Sequence, residues 1–425
     1  MPAPRTLRIA ALVDLPRTAQ SGGHVKYWER LAQAAAPGDL PLELTVFFSG
    51  KRKTEVLGPG ARMIELPPVL STAQLRFLPY VPDHTDLSPY HPALARALAG
   101  YDAFHTTDAF FAFARTAESL ARRRGVPLVT SIHTDTPAYT RIFTRHTIER
   151  RFGEGWPKRK LIDDWNLPER QGRRMDLRLA RHLRRCAFAA ATRAEDHALA
   201  AQVIGEGRVG DLRLGVDKTM FGPHRADRAG VRAELGLADG AVVALFVGRL
   251  DVGKNVHTLV EALARLKGEA PAIHLVAAGV GPAAEEIRGR LGASATVAGY
   301  VAPDALARLY ASADLVALSS EVETGSMVAV EALASGCPVL VSTKSGVADL
   351  FDATPAMRTV EAGARAWTEA LRALAGDADG QAAMRTAALA YAARKLAPWR
   401  EVLESDLLPL WGAATEQVAP AKLIA

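Results

Sequence analysis

Residues 242–342 constrain the fold more than any other stretch. Short apolar runs recur there at Val242–Val247, His274–Ala278, Ala295–Ala298, Leu315–Leu318 and Val339–Ser342. Between them lie Asn255–Leu266 and Pro303–Ala311, with apolar residues at three- and four-residue spacing. Strands that alternate with helical stretches predict an α/β protein with parallel sheets. The first half repeats the pattern less cleanly, with strands expected at Ile9–Val13, Leu42–Phe48, Ala103–His105, Leu128–Ile132 and Ala187–Ala191. Both halves open with strand, loop and helix, which predicts two Rossmann-like domains facing each other across a cleft, with ligands at the carboxyl ends of the strands.

The chain has 425 residues, too many for one ordinary core. The turn-rich run Leu214–Pro223 marks the expected boundary. It separates an N-terminal domain, 1–215, from a C-terminal domain that begins at 216. Apolar residues reach 49%, yet no run approaches the roughly 18–20 residues of a membrane-spanning helix. Residues 1–14 lack the pattern of a signal peptide. Cys186 and Cys337 are isolated and have no ligand-like neighbours. No disulfide framework or metal site is therefore expected, and a cytoplasmic setting fits.

The formal charge is +6 and is not spread evenly. Residues 141–185 hold fourteen Arg and Lys against six Asp and Glu, a net of +8. The wider segment 140–185 also contains Trp156 and Trp165, and it is long for a connection. It reads as a basic insertion: a solvated Arg-rich helix, a lid, or a contact with an anionic membrane surface.

Two constellations carry chemistry. In Phe246–Asn255 a strand ends in a glycine-flanked turn bearing Arg249 and Lys254, side chains suited to phosphate. In Ser319–Val339 a strand ends in a polar loop with Glu323. A helix carrying Glu331 then starts near Ser326, and Gly336 supplies its C-terminal stop. The amides of Gly325, Ser326, Met327 and Val328 would form an anion-binding helix start. Surface solvation is the alternative for Arg249 and Lys254, and exposed helix charge for the two glutamates. Against the latter, Glu331 sits among apolar neighbours, a poor place for an unpartnered charge.

Together these residues resemble glycosyltransferase family 4, retaining enzymes of the GT-B fold. The family pattern is a Glu, seven residues, then Glu-Ala-hydrophobic-Ala-x-Gly-x-Pro-Val. Glu323–Val339 fits it, and Val247–Asn255 fits the family's phosphate loop. Gly279 and Gly281 resemble its glycine turn beside the nucleotide, and Tyr300 with Val301 the segment that reads the base. Gly22 and Gly23 resemble the N-domain glycine loop near the diphosphate, and His133 the strand-end histidine facing the donor sugar. Ala397-Pro398-Trp399 followed by Leu403–Trp411 resembles the family's final helix, which implies that the second domain ends at 398 and that 399–425 form a helix crossing back to the first domain. Thr324-Gly325-Ser326 stands where the family often has Gly-Phe-Gly, a departure that bears on sugar selectivity.

The resemblance implies a role for each residue. Arg249 and Lys254 neutralise the diphosphate leaving group without a metal. Glu331 holds the ribose and Glu323 the sugar hydroxyls. His133 contacts the sugar. No cofactor is implied beyond a nucleoside-diphosphate-sugar donor, uridine being the commoner base and guanosine also represented. The segment His133-Thr134-Asp135-Thr136-Pro137-Ala138-Tyr139 resembles one in members that glycosylate diacylglycerol lipids, such as sulfolipid synthases. With the basic insertion it points to a lipid or lipid-linked acceptor at the cytoplasmic membrane face. A soluble sugar or small-molecule acceptor is the alternative, and a non-catalytic sugar-nucleotide-binding protein the second. No dinucleotide fingerprint follows the first strand, which argues against an oxidoreductase. No nucleic-acid reader motif accompanies the charge.

Overall fold

The computed structural model describes residues 5–74, 85–238, 240–351 and 354–418. Residues 419–425, the end of the expected C-terminal helix, lie outside the described residues. The chain divides into two compact units, Met1–Arg213 with Trp399–Ala425, and Leu214–Pro398.

The first unit holds an eight-stranded sheet. Its strands are β1 (Leu7–Pro16), β2 (Leu42–Ser49), β3 (Lys53–Gly58), β4 (Ala61–Leu66), β5 (Ala103–Thr106), β6 (Leu128–Ile132), β7 (Phe188–Ala191) and β8 (Val209–Asp211). They lie in the order β3-β4-β2-β1-β5-β6-β7-β8. All neighbours pair in parallel except the β3/β4 hairpin, which is antiparallel. The central strands are apolar on both faces because helices cover both. Ala10, Leu12, Phe47 and Phe104 pack with Leu94, Phe113 and Leu120 in one such layer.

The final segment belongs to this core. Helix Trp399–Val402, a π-turn at Leu403–Leu407 and helix Leu408–Val418 follow without a break. Val402, Leu403, Leu407 and Trp411 are fully buried. Asp406 anchors the segment to Arg213 with bonds of 2.7 and 3.0 Å, and Glu401 adds one of 2.6 Å.

The basic insertion is a helical hairpin. Helices Thr136–Phe152 and Leu167–Leu183 pack against each other, joined by a short helix and a π-turn over 156–164. Asp135 caps the first helix by accepting from Ala138 N at 2.9 Å. Arg141 reaches across to Glu169 (2.8 Å) and Asp176 (2.7 Å) and lies over Gly172. A Cβ at Gly172 would sit 2.5 Å from the Arg141 guanidinium, so the glycine lets the two helices exchange these bonds.

The second unit holds a six-stranded, wholly parallel sheet of β9 (Val242–Val247), β10 (Ile273–Ala278), β11 (Ala295–Gly299), β12 (Leu315–Leu318), β13 (Val339–Ser342) and β14 (Met357–Val360). The order is β11-β10-β9-β12-β13-β14. One apolar layer, with Leu245, Val316, Val330 and Leu333, lies on one face; another, with Phe246, Leu259, Leu263 and Leu371, lies on the other.

Each sheet grows outward in both directions from its first strand. The order therefore reverses between β1 and β5 in one unit and between β9 and β12 in the other. At such a reversal the loops leaving the two strands run to opposite faces and open a crevice at their carboxyl ends.

Candidate functional site

In the second unit the crevice is formed by the loops after β9 and β12. Asp251 organises the first loop. Its fully buried carboxylate accepts from Lys254 N (3.1 Å), which starts a single 3-10 turn, and from Arg249 Nε (2.9 Å). One buried carboxylate thus fixes the positions of two cations. Asn255 ends the turn in the left-handed region, at φ 50°. Its Nδ2 donates to Ser319 O (3.2 Å) and Glu321 Oε1 (3.3 Å) in the β12 loop. Ser319 and Ser320 return bonds of 3.2 Å to the carbonyls of Lys254 and Gly253. Lys254 Nζ donates to Glu323 Oε1. The two loops are held together by side chains from both, and Arg249, Lys254 and Glu323 gather there partly exposed.

The β12 loop leads into helix Met327–Ala334. Ser326 caps it, its Oγ accepting from Ala329 N at 3.1 Å. The first amides of a helix have no partner within it, so Met327 and Val328 present donors at the loop. Glu331 lies one turn further on, beside the buried Tyr310, whose phenol is held above its usual range by burial and by Glu331. Among the described residues no group of three or more His, Cys, Asp or Glu side chains is placed to hold a metal. Arg249 and Lys254 bring positive charge to this crevice, and Lys344 lies 3.6 Å from Glu321 of the β12 loop.

Gly279 and Gly281 have a packing reason. A Cβ at Gly279 would lie 1.8 Å from Gly248 O, and one at Gly281 would lie 2.4 Å from Leu250 O. The loop after β10 is thereby pressed against the loop carrying Arg249, and Leu250 N donates to Val280 O at 2.9 Å. Tyr300 follows β11 and is 43% exposed, whereas Val301 packs on the core. Gly22 differs from the other two. It precedes helix Gly23–Ala35 at φ −69°, and a Cβ there would meet nothing within 4 Å. Neither strain nor packing within the chain requires glycine at that position.

In the first unit His133 leaves β6 at the carboxyl edge and joins a cluster that sequence reading left scattered. The His24 ring stacks on it at 4.6 Å, and Tyr27 and Trp28 lie 4.9 and 6.0 Å away. Trp28 Nε1 donates to His133 Nε2 at 3.2 Å. Ser131 Oγ joins the same nitrogen at 2.8 Å and His105 Nε2 at 2.8 Å. Trp411 Nε1 donates to His105 Nδ1 at 2.9 Å. Burial lowers His24 and His105 to about 3. It also holds His133 well below the usual histidine range, reinforced by the other two. The cluster is therefore neutral at pH 7.

Neither Asp251 and Asn255 nor His105 and Trp411 were singled out from sequence. Asp251 carried a signal, an Asp three residues before the Lys254 that it caps. His105 and Trp411 are 306 positions apart and carried none.

Residues 227–390 match the family model for glycosyl transferases group 1. D-inositol 3-phosphate glycosyltransferase from Nocardia farcinica is 36% identical over 200 residues, 44% of each chain. The match thus spans less than half the length of that relative. Over the whole chain the fold resembles sucrose-phosphate synthase from Thermosynechococcus elongatus, with a TM-score of 0.67 at 18% identity, covering 98% of both chains. It also resembles Anabaena HepE in complex with UDP-glucose, with a TM-score of 0.62 at 16% identity, covering 99% of this chain and 100% of that one. These likenesses establish the fold, two Rossmann-like α/β units as in GT-B glycosyltransferases.

Proposed function

We propose that the chain is a retaining glycosyltransferase that moves a hexose from a nucleoside-diphosphate sugar to an acceptor hydroxyl. The observation that carries this reading is the joined pair of loops after β9 and β12, where Arg249, Lys254 and Glu323 converge beside a capped helix start. Diphosphate departure develops negative charge, and fixed cations with helix amides stabilise it without rearranging. Arg249 and Lys254 supply that charge in place of a metal ion. Glu323 exchanges its bond with Lys254 for the sugar hydroxyls when donor enters, Glu331 holds the ribose, and Tyr300 and Val301 lie against the base. Uridine is the base proposed first, a choice supported by the likeness to a protein that binds UDP-glucose.

For the acceptor, a soluble polyhydroxylated molecule is the reading favoured by the relative named for inositol 3-phosphate. A specific observation keeps a lipid acceptor as the second reading. Trp156 and Trp165, 68% and 50% exposed, stand at the hairpin turn beside Arg150, Arg151, Lys158, Arg159 and Lys160. Exposed tryptophan among cations suits an anionic membrane surface.

The test is a transfer assay with UDP- and GDP-hexoses against inositol phosphates and against diacylglycerol in anionic vesicles, with product anomers read by NMR. Release of nucleoside diphosphate with retained configuration is expected, from a soluble acceptor first. Inverted product would overturn the retaining assignment, and no release with any pair would overturn the reading.

A further inference from the structure

The amino edge of the second sheet carries a cavity on the far side from the crevice. Its volume is about 380 Å³, within the range of small-molecule sites. Val242 opens β9, Asp314 immediately precedes β12, and both line the cavity. Arg249 follows the opposite end of β9. At about 3.3 Å per residue, that six-residue strand sets the two places roughly 15–20 Å apart. Arg228 and Arg232, both on helix Arg228–Glu234, form part of the wall.

Asp314 is only 2% exposed. Its carboxylate accepts from Val243 N at 2.8 Å, from Arg232 Nη2 at 2.5 Å and from Arg228 Nη2. One guanidinium would balance this carboxylate, and two are present. A third, Arg385, donates to the carbonyls of Ala313 (2.9 Å) and Gly336 (3.1 Å), and among the described residues it is paired with no carboxylate. Burial lowers Arg385 from the ordinary arginine value, and the neighbouring Arg228 and Arg232 lower it further. Positive charge is therefore in excess around one buried carboxylate. Asp377 borders the wall at Ala378, but it accepts from Gly380 N (2.8 Å) and faces Arg358 (3.7 Å). Arg232 Nη1 is buried with no hydrogen-bond partner in the chain. A buried donor is almost always paired, and a clamp between helix and strand does not require this one to stay open. The Arg228 and Arg232 side chains remain 43% and 21% exposed, so a ligand can reach both. Ala378 adds the first turn of helix Ala378–Lys395 to the wall, and a helix start favours the same sign of ligand.

We propose that this cavity binds a phosphate group, either as inorganic phosphate or on a small phosphorylated molecule. Arg228 and Arg232 receive it, held in place by Asp314, and Arg385 adds charge nearby. Phosphate oxygens match the forked donors of two fixed guanidinium groups and offset the excess charge. The site shares no residue with the crevice after β9 and β12, so it stands apart from the reading of that crevice as a donor site.

The test is isothermal titration calorimetry of the full-length protein with inorganic phosphate and with glucose 6-phosphate, at fixed ionic strength. Wild type should bind at least one of them, and Lys254→Ala, which disables the crevice, should bind it equally well. Arg228→Gln leaves Arg232 to pair with Asp314. It should weaken binding about tenfold or more, the loss of one charge-assisted hydrogen bond. Ala378→Glu brings a carboxylate to the wall without touching those pairs; it should weaken binding too, and it serves if the arginine variant does not fold. Tighter binding of glucose 6-phosphate would assign the cavity to a phosphorylated small molecule, and equal or tighter binding of phosphate to the free anion; each upholds the site. No binding of either by wild type, or binding that is lost in Lys254→Ala or unchanged in the folded cavity variants, would overturn it.

Discussion

The two crevice regions hold their polar groups in opposite ways. After β9 and β12 the groups are charged and paired: the partly exposed Arg249 with the buried Asp251, and Lys254 with Glu323, both partly exposed. Around His133 the groups are neutral, largely buried and linked by hydrogen bonds between rings. Charge kept near water avoids the cost of desolvation and can exchange partners. Neutral groups in a dry environment cannot be rearranged cheaply, because any unmade bond leaves a buried polar atom unsatisfied. The first arrangement suits capture and departure of a diphosphate. The second suits keeping its rings in one fixed arrangement.

The contrast makes predictions that differ in size. The largest concerns the charged loops. Lys254→Ala and Glu323→Ala should each lower turnover about 10²–10³-fold, the loss typical of a preorganised electrostatic partner, while the melting temperature stays close to wild type. Wild-type rates in both would remove the site from this crevice. Next is Gly279→Ala. Its new Cβ would lie 1.8 Å from Gly248 O, so the loop must shift, at a cost of roughly 1–3 kcal/mol in urea unfolding. Because the shift moves the Arg249 loop, donor affinity should fall with stability. A variant that loses stability and keeps affinity would separate the loop from the ligand.

A smaller effect distinguishes the neutral cluster by pH. His24 and His105 lie at about 3 when folded against 6.5 ordinarily. A lowered folded value means the unfolded chain binds the proton first. The stability these rings contribute is therefore full above pH 6.5 and is lost as pH falls from there toward about 3. The urea midpoint should drop between pH 7 and about pH 4.5, and His105→Gln should drop less across the same interval. An equal drop in both would show that the cluster is not what titrates. The smallest effect is at the hairpin turn. Trp156→Ala and Trp165→Ala leave an exposed site, and their stability should stay within about 0.5 kcal/mol of wild type. Sedimentation with anionic vesicles then tests the second acceptor reading alone: binding lost in both variants supports it, and no binding by wild type removes it.

The same contrast explains what the sequence disclosed. In the second unit strand, loop and helix follow one another locally, so β9, β12 and β13 were legible to the residue and the helix start was placed near Ser326, where it lies. β14 was not read, because its exposed Arg358 and Thr359 interrupt the apolar signal. β3, β4 and β8 were missed for the same reason: they are short, lie toward the edges and are only half-buried. The antiparallel β3/β4 hairpin accordingly modifies the expectation of a purely parallel sheet in the first unit. Arg249, Lys254 and Glu323 stood in recognisable spacing, and the fold bonds Arg249 to Asp251 and Lys254 to Glu323. The reason for Gly279 and Gly281 was not legible, since a clash with a carbonyl from another loop exists only in three dimensions. His133 was legible as a strand-end histidine. The cluster around it also draws Trp28, His105 and Trp411 from three distant segments, and no local pattern announces such a meeting.

The central claim is that a nucleoside diphosphate binds against Arg249 and Lys254. The most direct measurement is thermal unfolding of wild type and Lys254→Ala with UDP, GDP, ADP and their hexose conjugates. A ligand that binds only the folded state raises the melting temperature by mass action. The account predicts a clear rise for wild type with one base, UDP first, and little or none for the variant. No rise with any nucleotide, or an equal rise in the variant, would contradict it.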